Sequence, residues 1–203
     1  MRSTGFRLIH IKTSSLLLRR ITLPNWSDPE LGTFDFDTFR WTQKVILPSF
    51  NALRYLGETR EIDLYFEAED ESDVPTETAV SVAKRLIQNQ EALVSKLLKA
   101  LFDDLHGNGP DSGMWWHDAV EDVYWNWDED PDLRNLRIEK PDSLRELLCC
   151  TTINIRRFGD GYDTPLATIS FVSPIEEEHD IGILTDGTDI LGTGYGDDPS
   201  PFK

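Results

Sequence analysis

The order of hydrophobic patterns along the chain predicts an α+β fold. One mostly antiparallel sheet, built from strands near both ends, packs against a long central helix with shorter helices beside it. Three observations carry this expectation. Alternating apolar and polar runs lie within 31–67, a second set lies within 151–193, and between them apolar residues recur at three- and four-residue steps. The 203 residues are enough for one continuous core, and no internal repeat or linker divides them. Residues 31–203 are therefore read as a single domain behind a basic, loosely ordered arm of residues 1–30.

The arm is compositionally separate. Arg2, Arg7, Lys12, Arg19 and Arg20 fall in the first 20 residues, which hold no Asp or Glu. That composition resembles an organelle transit peptide, but an arm is the reading adopted, because Phe6, Leu8 and Ile11 keep no clean alternation. Phe34, Phe36 and Phe39 to Trp41 then predict strand, as do Ile62, Leu64 and Phe66 against Asp63, Tyr65 and Glu67. The run Glu67 to Asp73 reads as an exposed acidic loop.

The helical signal follows. Ala79, Val80, Ala83, Ile87, Gln90, Val94, Leu97, Leu98, Leu101 and Leu105 form one stripe, with Thr76 as cap and Gly107 as the left-handed end. A single helix of about 30 residues, roughly 45 Å long, is expected. Asp103 and Asp104 stand at the negative end of its dipole, an arrangement that the sequence does not explain. Beyond it, WWHDAVEDVYWNW predicts an aromatic helix with Trp116, Val120, Val123, Tyr124 and Trp127 inward and Asp118, Glu121, Asp122 and Trp125 outward. Ser143 to Glu146 has the pattern of a capping box opening a short helix to about Leu148. Strands are expected over 151–157, 166–171, 181–184 and 190–193, with Asp186-Gly187 turning the last pair.

Charge narrows the function. Twenty Lys and Arg against 37 Asp and Glu give a net charge of −17. Such a field repels nucleic acid and anionic membrane and attracts a basic protein. No apolar run is long enough for a membrane span. The only cysteines, Cys149 and Cys150, are neighbours whose side chains diverge in an extended segment, which excludes a disulfide framework and points to a reducing, cytoplasmic compartment.

Motifs for chemistry are few. Asp128, Asp130, Asp132 and Glu139 match positions of a calcium loop, but Leu133 replaces the turn glycine and Pro131 interrupts it, so no metal is expected there. Glu176, Glu177, Glu178, His179 and Asp180 form the densest set of titratable groups, of which alternation would place Glu176, Glu178 and Asp180 on one side. Gly192, Gly194 and Gly196 follow a strand but precede no helix, so they are not a dinucleotide fingerprint. No nucleophile elbow or Walker sequence occurs, and no catalytic residue or cofactor is assigned.

Taken together, Phe171 to Leu184, Trp41-x-x-x-Val45-x-Leu47-Pro48-x-Phe50 and the helix from Pro75-Thr76 resemble a family of uncharacterised bacterial domains. That family is marked by a corner close to W-D-E-E-H-G, and Ile175 and Asp180 stand here where it has Trp and Gly. The resemblance, over about 31–194, implies the fold and no activity. Where the family glycine has positive φ, Asp180 is among the few substitutes expected to be tolerated.

The leading expectation is an acidic protein-binding module, in the manner of an immunity protein or antitoxin. Its partner surface would comprise Trp115, Asp118, Glu121, Asp122, Trp125 and Asp128. The alternatives are a metal-assisted hydrolase using Glu176, Glu178, His179 and Asp186, and an accessory domain without catalysis.

Overall fold

A computed structural model describes residues 24–57, 60–157 and 164–203. The basic residues of the expected arm, through position 23, lie outside the described residues. Residues 25–28, which the sequence analysis assigned to the arm, form strand β1 (Asn25–Asp28). It pairs in antiparallel register with β2 (Gly32–Phe36), with Trp26 opposite Phe34.

Among the described residues the sheet has nine strands in sequence order. After β2 come β3 (Arg40–Val45), β4 (Ile62–Glu67), β5 (Cys149–Ile155) and β6 (Ala167–Ser173). The sheet continues with β7 (Glu176–Thr185), β8 (Ile190–Tyr195) and β9 (Asp198–Pro201). Neighbours are antiparallel except β4 and β5, which run parallel. That exception follows from the connection: two parallel strands need a crossover, and residues 68–148 supply it with most of the helices.

Alternation sets the inner face of the first half. In β4, Ile62, Leu64 and Phe66 are buried while Asp63, Tyr65 and Glu67 are only partly covered. Phe34, Phe66 and Trp26 pack their rings 5.2 to 5.7 Å apart. The second half is covered more completely, and β6 is buried along almost its whole length. Glycine permits that closeness: a Cβ on Gly192 would sit 1.9 Å from the Ser200 carbonyl oxygen, and one on Gly182 would sit 2.2 Å from that of Tyr195. The glycines excluded as a nucleotide motif therefore let β8 and β9 close over β7. Pro199 and Pro201 keep β9 at the sheet edge, which is why periodicity did not mark it.

The long central helix is not one helix. It is divided into α2 (Glu77–Gln88) and α3 (Gln90–Leu105), after the short α1 (Pro48–Asn51). Asn89 has φ −103° and ψ 14°, outside helical values. Asparagine favours such positions because its side chain competes with backbone hydrogen bonding. The Gln90 amide donates to the Ile87 carbonyl at 3.2 Å and accepts from the Ser49 N–H at 2.9 Å, fixing the joint against α1. Thr76 caps α2 by accepting the Ala79 N–H at 3.2 Å, as expected. Of the expected stripe, Ala79, Val80, Ala83, Val94, Leu97, Leu98, Leu101 and Leu105 are buried in the core, but Ile87 and Gln90 beside the joint are only partly covered, and Val82, Leu86 and Leu93, outside the expected stripe, are buried instead. The expected capping box is also displaced. Pro141, with its φ preset, opens a short 3-10 helix (Pro141–Glu146), which leaves Ser143 inside it.

Candidate functional site

The aromatic segment begins as a turn, and its helix, α4 (Val120–Trp127), starts later than the sequence suggests. Asp118 causes this: its φ of +52° lies in the left-handed region and cannot continue a helix. Val123 and Trp127 are buried, and the Trp127 Nε1–H donates to the Pro174 carbonyl at 2.9 Å, tying α4 to the turn between β6 and β7. Tyr124 receives the Ile138 N–H on its hydroxyl at 2.8 Å. The opposite face carries acids that form no ion pair among the described residues, although Arg137 lies beside it. Trp125 is 77% exposed, and Glu121 and Asp128 share its side of the helix at three- and four-residue steps. Together with Tyr124 and Arg137 they line a shallow recess of about 320 Å³. The Arg137 guanidinium sits 4.8 Å from the Tyr124 ring centre. Asp122 is exposed one residue along.

Two residues of the expected partner surface belong elsewhere. Asp118 folds back on the end of α3, where a Cβ on Gly107 would lie 2.5 Å from its Oδ1. Its N–H donates to the Asp104 carbonyl at 2.9 Å. Trp115, 40% exposed, turns towards the corner at the start of β7 and donates its Nε1–H to Glu176 Oε2 at 2.6 Å.

Asp104 holds this arrangement in place and supplies the missing reason for an acid at the end of α3. Only 1% exposed, it accepts the Trp116 Nε1–H at 2.9 Å and the Thr193 hydroxyl at 3.0 Å. It also lies 2.7 Å from His117 Nδ1. The hydrogen bond to the Asp104 carboxylate raises the His117 pKa, against a smaller opposing effect of burial. Helix, aromatic turn and β8 thus share one buried carboxylate. Trp116 in turn packs edge-on against both Trp115 and Tyr195, with ring centres 5.9 and 5.8 Å apart.

The corner Glu176 to Asp180 is not an alternating strand. Glu176 is 7% exposed, and its Oε1 accepts the N–H groups of Glu178 at 3.0 Å and His179 at 3.1 Å. His179 Nδ1 is 3.2 Å from the same oxygen. Burial pushes the Glu176 pKa up, but the Trp115, Glu178 and His179 hydrogen bonds outweigh it and hold the carboxyl below its usual value. The expected shared side of Glu176, Glu178 and Asp180 is not formed: at the start of β7 the buried Glu176 side chain folds back on the Glu178 and His179 amides, and Glu177, Glu178 and His179 are all exposed. Asp180 has φ +58°, the left-handed conformation anticipated for a glycine position. Burial, then the charges of Asp197 and Glu176, raises its pKa.

Between this corner and the end of α4 lies an open cleft of about 750 Å³. Trp115, Trp127, Tyr195 and His179 form its aromatic walls. Glu129, Asp130, Glu176, Glu177 and Glu178 supply carboxylates, and among the described residues no Lys or Arg lines it. Asp186 does not join them: it caps the turn at the opposite end of the ten-residue β7, roughly 30 Å away at strand rise. Of the calcium-like set, Asp130 accepts the N–H groups of Asp132 and Leu133 as a turn residue. No group of three or more His, Cys, Asp or Glu is placed to hold a metal among the described residues. Cys149 and Cys150 are both free and buried in β5, and burial raises both thiol pKa values. No helix among the described residues is long and apolar enough to cross a membrane.

Residues 30–200, which contain α4, the cleft and every strand from β2 to β8, match a domain of unknown function, DUF6985. The chain belongs to that family. No curated protein and no solved structure matches it. In this DUF6985 chain two side-chain groupings that shape the cleft escaped sequence reasoning. The Asp104 hub gave a faint signal as an acid misplaced on the helix dipole. The Trp115–Glu176 pair, 61 residues apart, gave none.

Proposed function

We propose that this DUF6985 chain is an acidic protein-binding module that receives a basic polypeptide on the outer face of α4 and the adjoining cleft, as an immunity protein or antitoxin receives its target. The observation that carries the reading is Trp125, 77% exposed beside Glu121, Asp122 and Asp128. A soluble domain has little reason to leave an indole in water, and covering one removes about 150–250 Å² of mainly apolar surface. The surrounding carboxylates steer a cationic partner and raise its association rate, while the indole slows its departure. The cleft adds carboxylates, with no competing Lys or Arg among the described residues. In the same reading the protein works in a reducing, cytoplasmic compartment, where the buried Cys149 and Cys150 stay as thiols.

The test uses two baits, the wild-type chain and Trp125→Ala combined with Asp122→Asn and Asp128→Asn, against extract of the native host. The expected result is a basic protein retained by the first bait and released from the second. Equal retention by both baits, or no basic protein on either, contradicts the reading.

A further inference from the structure

The cleft between the end of α4 and the start of β7 differs from the other recesses in what lines it. Four smaller ones each present a base: Arg156 and Arg157 in one of about 250 Å³, Lys96 and Lys99 in one of about 270 Å³, Arg145 in one of about 310 Å³, and Arg137 in the recess beside Trp125. The cleft, at about 750 Å³, combines aromatic rings with carboxylates and, among the described residues, has no Lys or Arg. Its wall is a closed circuit of side chains. Trp115 and Tyr195 both meet the buried Trp116 edge-on, at interplanar angles of 78° and 81°. The Tyr195 ring centre lies 4.7 Å from that of His179. Glu176 joins the two ends, accepting the Trp115 Nε1–H on one oxygen with His179 Nδ1 3.2 Å from the other. Such bracing fixes the rings before any ligand arrives, which lowers the ordering cost of binding. Glu176 also sets the charge. Burial works against its ionised form, but its hydrogen bonds outweigh burial, and its one ion-pair contact among the described residues is with His179. A buried anion without a full counter-charge is costly, and a cation entering the cleft offsets that cost.

We propose that this cleft is a subsite for one arginine side chain of the basic polypeptide, whose guanidinium lies against the Trp115 and Tyr195 rings and pairs with the Glu177 and Glu178 carboxylates. The assignment rests on the binding reading above and names the residue type that the cleft selects. Arginine fits both kinds of wall. Its planar guanidinium stacks on aromatic faces, and its fork of N–H donors matches carboxylate oxygens in pairs. A lysine ammonium is a more strongly hydrated point charge and gains less from the rings. Acceptors are available at the mouth: Glu177 and Glu178 are exposed, and no side-chain hydrogen bond among the described residues uses their carboxylates. Glu176 is already engaged by Trp115, Glu178 and His179, so it contributes charge and ring placement rather than a new hydrogen bond.

The experiment titrates the full chain with three probes: N-acetyl-arginine amide, the uncharged N-acetyl-citrulline amide of nearly the same shape, and N-acetyl-lysine amide. The indole N–H resonances of Trp115 and Trp125 are followed by NMR. The arginine probe should shift Trp115 saturably, with half-saturation on the order of a millimolar, and shift Trp125 little. The citrulline probe should bind at least about tenfold more weakly, and the lysine probe about threefold more weakly. Glu177→Gln with Glu178→Gln, at two exposed positions, should weaken the arginine probe about tenfold. Asp35→Asn with Glu71→Gln removes the same charge from exposed positions in the first half of the fold, and should change the affinity by less than about twofold. Equal affinity for the arginine and citrulline probes, a lysine probe as tight as arginine, or equal losses in the two double variants overturns the proposal. The two ideas fail separately. If the arginine probe leaves Trp115 unmoved but the two baits still separate a basic protein, only the subsite is lost; if the probe saturates Trp115 and neither bait retains a basic protein, the subsite stands and the α4 face is lost.

Discussion

Removing the Asp104 carboxylate tests how the aromatic wall of the cleft is held. In Asp104→Ala the Trp116 Nε1–H and the Thr193 hydroxyl lose their shared acceptor, and both residues are fully buried, so water cannot replace it. Each buried polar group left unpaired costs about 1–3 kcal/mol, partly offset because a buried charge is also removed. A net loss of about 2–5 kcal/mol is expected. Asp104→Asn keeps one oxygen for Trp116 and Thr193 but turns an amide towards His117, and should cost about 1–3 kcal/mol. Its penalty should depend on pH. The His117 pKa is raised in the fold above the ordinary imidazole value of about 6.5, first by its hydrogen bond to Asp104. The Asp104–His117 contribution is therefore complete below that value and is lost as pH rises through the folded pKa. Urea unfolding followed by circular dichroism, at about pH 5.5 and about pH 9, measures this. Asp104→Asn should destabilise more at the lower pH, and the His117 ring signals should titrate at lower pH than in the wild type. An unchanged unfolding midpoint, or a His117 titration that does not move, would refute the account of Asp104 as the organising acceptor.

Other perturbations separate stability from surface. Trp125→Ala should change unfolding free energy by no more than about 0.5 kcal/mol, because the side chain is mostly in solvent; a larger loss in chemical denaturation means the indole packs against its own domain. Trp115→Phe removes the side-chain hydrogen bond that helps hold Glu176 ionised. The Glu176 contribution is present above its unfolded pKa and is lost as pH falls through the depressed folded value. Acid unfolding of Trp115→Phe should therefore begin at higher pH than in the wild type, and an unchanged acid limb contradicts the pairing. Asp180→Gly should keep or raise stability, whereas Asp180→Val should lower it by about 1–2 kcal/mol, because φ is +58° at that position. Equal thermal midpoints for the two variants would remove backbone conformation as the reason.

Much of the local structure was legible because it depends on neighbours in sequence. The alternation of Ile62 to Glu67, the Thr76 cap, the Asp186-Gly187 turn and the outward placement of Trp125 all follow from spacing and turn chemistry. What was missed depends on partners far along the chain. The joint at Asn89 is anchored through Gln90 to Ser49, 41 residues earlier, so an unbroken apolar stripe concealed it. β1 is short and its inward Trp26 needs Phe34 and Phe66 to show its side. Trp115 was placed on a helix face by periodicity, but Asp118 breaks that helix and Glu176 captures the indole. Fold class was carried by pattern; the site was assembled by contacts between segments that no pattern links.

The most direct test of the binding face is kinetic, measured with the basic protein recovered from the host on immobilised wild-type and variant chains at low and high salt. Asp122→Asn with Asp128→Asn should mainly slow association and flatten its salt dependence, because those carboxylates act by steering. Trp125→Ala should mainly speed dissociation, by about 2 kcal/mol or roughly thirtyfold, because the indole acts only once it is covered. If both variants associate and dissociate as the wild type does, the face around α4 is not where this chain meets its partner.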